Sequence, residues 1–154
     1  MKRFFYCCFF MVLTVFLNAQ TAERLEGMLN TKSMSYGEAA QFILEAADAA
    51  ARFGSGVVSS PAEAFRFAAG ENWLPANATS NAPATLEGVS LLTMKSFGMK
   101  GGVLYSISKH PHYAYRELEY KGVIQGKVDP GMAVSGDYLL LMMSRVLSDV
   151  EENN

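Results

Sequence analysis

The sequence is poor in the residues that most often carry chemistry. Only two Cys and two His occur among 154 residues, and both Cys, Cys7 and Cys8, fall within the first eight positions. Two adjacent thiols cannot build the multi-bridge framework that staples small secreted domains. Charged residues make up 18% of the chain with a net charge of −2. There is thus no basic excess to neutralise phosphates, which excludes a general nucleic-acid binder. Pro and Gly number 5 and 13, too few for a collagen-like or low-complexity chain, and 50% hydrophobic residues exclude a disordered one. The length suits a single domain.

Catalytic patterns are missing as well. No Gly-x-Ser-x-Gly elbow occurs, and the two His lie together at His110 and His112. Gly98 to Gly102 lacks the ordered glycines and Lys-Ser/Thr of a phosphate loop. Glu117 and Glu119 point to different faces of one helix, so they form no acid–base pair with controlled spacing. Two imidazoles flanking Pro111 would need a third ligand, such as Glu117, to hold a metal. The pair reads as a solvated loop, and neither a metal nor any other cofactor is assigned. The chain reads as non-catalytic.

What is present begins with a leader. Lys2 and Arg3 precede an apolar run from Phe4 to Leu17, and Asn18, Ala19 and Gln20 end it. The run is shorter than the ~20 residues of a membrane span. Its charged start, apolar middle and small-residue exit make residues 1–19 a secretory signal peptide. Export to the periplasm, the cell surface or the extracellular space is therefore expected. Cleavage after Ala19 would remove both Cys and two cations, moving the net charge from −2 to −4. Membrane contact is expected only through this leader.

Helix signals then recur along residues 20–148, which read as one helical domain. Ser35 with Glu38 makes a capping box before the apolar positions Ala39, Phe42, Ile43, Ala46 and Ala50, predicting a helix that stops near Phe53 and Gly54. A short helix with weaker signals is expected before it, from Thr21 to Leu29. Ser60, Pro61 and Glu63 open a second helix, with Phe65, Ala68 and Ala69 as its stripe. Thr85 caps a third, Pro111 opens a fourth that runs through Tyr120, and Ser135 caps the last, which runs to about Leu147. Val103 to Ile107 reads as a short extended segment. Residues 149–154 read as a frayed acidic tail. The fold class is mainly α, about six helices in stacked hairpins.

The chain also resembles itself at a spacing of fifty residues. Ala64-Phe65-Arg66 aligns with Ala114-Tyr115-Arg116, Trp73-Leu74 with Val123-Ile124, and Thr85 with Ser135; Ser35 falls under Thr85 as part of a third copy. The sub-repeats are 35–53 (partial), 61–98 and 111–148. Short amphipathic hairpins of this kind bury their apolar faces only by stacking on neighbours. Tyr138 to Met143 is apolar all round and should be nearly buried.

The unit resembles an S-layer homology repeat. His112 to Leu118 is similar to that family's first helix, Gly122-Val123-Ile124-Gln125-Gly126 to its turn, Asp129-Pro130 to its loop, and Leu140 to Leu147 to its closing helix. The resemblance implies a non-catalytic envelope module that attaches to cell-wall polysaccharide or peptidoglycan. It also implies a compact ring of three repeats, here only partly filled. The family supplies a cation from a Thr-Arg helix start, where this chain has Leu86 and Gly136. That departure keeps open an alternative, a periplasmic or surface adaptor that binds an envelope protein. Trp73, Tyr113, Tyr115 and Arg116 are the expected contact surface, since aromatic faces with Arg suit sugar rings and protein hot spots alike.

Overall fold

The structure is a computed structural model that describes residue 23 and residues 25–152. The expected leader, with Cys7 and Cys8, lies outside the described residues. The described chain is mainly helical and contains no β-strand. After a helical turn at 25–29 come α1 (Tyr36–Ala46), α2 (Ala49–Phe53), a 3-10 turn (Ser55–Val58), α3 (Pro61–Gly70), α4 (Leu86–Ser96), α5 (Val103–Ser108), α6 (Pro111–Tyr120) and α7 (Gly136–Glu152).

Local capping sets most helix starts. Ser35 accepts from the Glu38 amide while the Glu38 carboxylate takes the Ser35 amide, a complete capping box. Ser60 and Thr85 accept from the amides of Glu63 and Gly88. Pro61 and Pro111 occupy first-turn positions, where the missing amide costs nothing.

The spacing of fifty residues governs the architecture. α1 and α4 span 36–46 and 86–96, and α7 starts at 136; α3 and α6 span 61–70 and 111–120. α3 packs on α1 just as α6 packs on α4. The three loops that lead into α1, α4 and α7 meet at one end. Met34 donates to the Val134 carbonyl at 2.8 Å, Val134 to Ala84 at 2.9 Å, and Ala84 to Met34 at 2.8 Å. Each unit thus gives one backbone bond and takes one, which closes a ring. Isolated antiparallel bridges, Ser35 with Pro83 and Thr85 with Ala133, flank it. Just outside, Tyr36 donates to Ala82, Leu86 to Met132 and Gly136 to Thr31. Residues 34, 84 and 134, fifty positions apart, are its three members.

The core follows the same register. Ala39, Val89 and Leu139 are fully buried at equivalent positions, as are Ile43 and Thr93, with Met143 almost so. The residues at 36, 86 and 136 differ in size by design of their surroundings. Tyr36 reaches toward Thr85, Leu86 is wholly enclosed, and Gly136 lies where a Cβ would sit 1.9 Å from the Met28 carbonyl oxygen.

Several expectations are corrected. Val103 to Ile107 is helical, within α5, rather than extended. No partner strand lies beside it; Glu117 instead accepts the Gly102 amide at 2.8 Å and Tyr105 is buried, which pins a helical turn. The first helix is interrupted at Asp48, which takes a φ of +52°, a left-handed conformation that Asp tolerates. Residues 149–152 are not frayed but continue α7 to Glu152, anchored by the Lys121–Asp149 pair at 3.5 Å and by Val150 against the core. Tyr138 to Met143 is not buried all round: Leu141 is 46% exposed, whereas its counterpart Leu91, in the unit where α6 covers α4, is 3% exposed.

Candidate functional site

The four residues expected to form one contact surface lie in different surroundings. Trp73 follows the end of α3, where its amide donates to the Ala68 carbonyl. Its ring is half-buried and packs edge-on against Phe67 at 5.4 Å and Phe53 at 6.0 Å. Phe53 and Phe67 close the triangle at 5.0 Å. The Arg52 guanidinium lies 5.4 Å from the centre of the Phe53 ring and donates to the carbonyls of Ala47 and Ser96. Phe53 stays 47% exposed, so the cluster reaches solvent.

Tyr113 belongs to a second group. Its ring meets His112 edge-on at 5.8 Å and His110 at 6.4 Å. His110 caps α6, its Nδ1 accepting the His112 amide at 3.2 Å. Glu117, the carboxylate that would have completed a metal site, is engaged with Gly102. Among the described residues no group of three His, Cys, Asp or Glu is placed to hold a metal ion.

Tyr115 does not belong to a contact surface. Its ring is buried and its hydroxyl donates to the Val128 carbonyl at 2.7 Å, fastening α6 to the following loop. Burial, with the Glu119 carboxylate nearby, raises its phenol above the ordinary tyrosine value. Arg116 is exposed and lies 3.7 Å from Glu119 on its own helix, as its counterpart Arg66 pairs with Glu63 at 2.7 Å. Such exposed i,i+3 pairs contribute little to stability.

Sequence reasoning missed Phe53, Phe67 and Arg52. One signal was available: Phe67 falls outside the Phe65, Ala68 and Ala69 stripe of its helix, so it had to face something else. Also missed was a cleft of about 390 Å³ between the end of α4 and α7, lined by Phe97, Met99, Lys100, Lys121, Asp149 and Val150. Near the end of α4, burial and then the Lys109 ammonium hold the Lys95 amine below the usual lysine value.

Chemically, the aromatic cluster offers a π-face and a cation, while the cleft offers two ammonium groups and one carboxylate. No family model matches the chain, and neither the curated proteins nor the solved structures contain a match to it. The fold and sites define a mainly helical protein in which loops spaced fifty residues apart meet in one ring of backbone bonds.

Proposed function

We propose that this protein is an exported, non-catalytic binding module of the cell envelope whose contact surface is the aromatic cluster around Trp73. The observation that carries the reading is the triangle of Phe53, Phe67 and Trp73 beside the Arg52 guanidinium, partly open to solvent. Rings of this kind stack on the apolar faces of sugars, and a cation favours an acidic glycan. Cell-wall polysaccharide or peptidoglycan is the ligand class that fits both this surface and the repeat's resemblance.

A second reading, an adaptor for an envelope protein, is favoured by the ring positions. The positions where the resemblance expects a cation carry Leu86 and Gly136, and both are buried, Gly136 against the Met28 backbone. Aromatic residues with Arg are also the composition of protein hot spots. Sedimentation with purified cell-wall sacculi separates the two. The glycan reading expects the protein in the pellet at low salt and its release by Trp73→Ala. A protein that stays in the supernatant while co-purifying with a protein partner establishes the adaptor instead.

A further inference from the structure

Helix α5 is built inside out for a surface helix. Tyr105 points into the core, while Val103, Leu104 and Ile107 are 73%, 62% and 79% exposed. Position 107 lies three from 104 and four from 103, so Ile107 shares a face with both Val103 and Leu104. Isolated exposed aliphatics are ordinary; three within five residues of one helix are not. The turn is also held firmly, by the Gly102 amide on Glu117, by Tyr105 beneath, and by the Lys109 amide closing on the Tyr105 carbonyl. The apolar patch is thus presented rather than incidental to fraying.

Lysines flank it in sequence. Residues 88–116 contain Lys95, Lys100, Lys109 and Arg116 and no acidic residue, in a chain whose net charge is −2. Lys100 and Lys109, one on each side of α5 in sequence, are both exposed. Glu117, the next residue after this stretch, turns one carboxylate oxygen to the Gly102 amide at the start of α5. Aliphatic side chains flanked by lysines, whose long stems let their ammonium groups rise to a phosphate layer, match an anionic bilayer surface.

We propose that α5 docks the folded protein on an anionic lipid surface, with Val103, Leu104 and Ile107 entering the interface and Lys100 and Lys109 pairing with headgroup phosphates. The contact is peripheral, because three side chains and two charges give reversible, salt-sensitive association. It is separate from the Trp73 cluster and holds whichever ligand that cluster takes.

The test uses the chain from Gln20 onward. It keeps every described residue and the whole buried core, which runs from Met34 to Val146, and it removes the apolar leader as a competing anchor. The expected result is co-sedimentation with vesicles of phosphatidylcholine and phosphatidylglycerol at low salt, release at high salt, and no binding to phosphatidylcholine alone. Val103→Asp with Ile107→Asp should lower the bound fraction about tenfold, as should Lys100→Glu with Lys109→Glu at low salt. Leu141→Asp, exposed on α7, should change nothing. Should the Asp pair disturb the circular dichroism spectrum, Ile107→Ser alone serves in its place. Three results overturn the proposal: no binding to anionic vesicles, equal binding to neutral ones, or binding indifferent to the α5 variants. A dimer that the Asp pair dissolves, with no vesicle binding, assigns the patch to self-association and overturns it as well.

Discussion

The Tyr36 hydroxyl meets the Thr85 hydroxyl at 2.9 Å across forty-nine residues of sequence, and its ring passes directly over Gly88. Thr85 also caps α4, so the first unit touches the second at the residue that starts the second unit's helix. A Cβ on Gly88 would sit 2.4 Å from the Tyr36 hydroxyl and 2.8 Å from its ring. Gly88→Ala should therefore lower stability by about 1–3 kcal/mol through overpacking. In a Tyr36→Ala background the same change should cost much less. Denaturant midpoints of the four proteins give the coupling directly.

The backbone ring gives a second prediction. Ala84→Pro removes the amide that donates to Met34 and leaves that carbonyl without its partner in an enclosed place. A single net backbone bond contributes about 1 kcal/mol, and an orphaned buried group costs about 1–3 kcal/mol more. The variant should melt well below the parent in a thermal scan, whereas Ala76→Pro, in the exposed loop after Pro75, should shift the melting point little.

Thr93 points the other way. It is fully buried among the central helices and its hydroxyl has no hydrogen-bond partner. Its counterparts in the other units are Ile43 and Met143. Thr93→Val keeps the shape and removes the orphaned hydroxyl, so it should stabilise the fold by roughly 1 kcal/mol. A decrease in the unfolding midpoint would show that the hydroxyl is satisfied after all.

The single Trp supplies its own reporter. Phe67→Ala should expose the edge of Trp73, shifting its emission to longer wavelength and lowering stability by about 1–2 kcal/mol, less than a fully buried ring because Phe67 is only partly buried. Sacculi added to the parent protein should shift the same emission if Trp73 lies in the contact, and should leave it unchanged in the adaptor case.

Three phenols define the alkaline limit of the fold. Burial raises Tyr105, Tyr115 and Tyr138 above their ordinary value of 10.0, with Glu117 adding to the rise at Tyr105 and Glu119 at Tyr115. Their folded values exceed the unfolded one, so the stability tied to keeping them neutral is complete below about pH 10 and is lost as pH climbs through the folded values. Tyrosinate absorbance should develop late and together with unfolding, and Tyr115→Phe should flatten that dependence.

The helix starts were legible because capping is a conversation within four residues. Ser35 with Glu38, Ser60 with Pro61, Thr85, and Pro111 each mark a boundary that the fold respects. The fifty-residue register was legible for the same reason. α5 was misread because Val-Leu-Tyr-Ser-Ile favours a strand locally, while its state is decided by Glu117, fifteen residues away from Gly102. Tyr115 looked available because its helix carries charges on both sides, yet its hydroxyl is spent on Val128. The ring at Met34, Ala84 and Val134 left no trace in local pattern, since its bonds run between units. The same holds for the Trp73 cluster, assembled from residues twenty positions apart.

Each member of that ring leans on both others, and the last closes on the first through Val134 and Met34. An open stack of hairpins has ends, so a terminal repeat can fray or be deleted with the rest intact. A closed circuit has none: removing any one unit strips a donor from one neighbour and an acceptor from the other. Melting should accordingly be all-or-none, with no partly folded chain of two units. The order of the units along the sequence then matters less than their number, as in an arch whose stones may be laid from any side but must all be present.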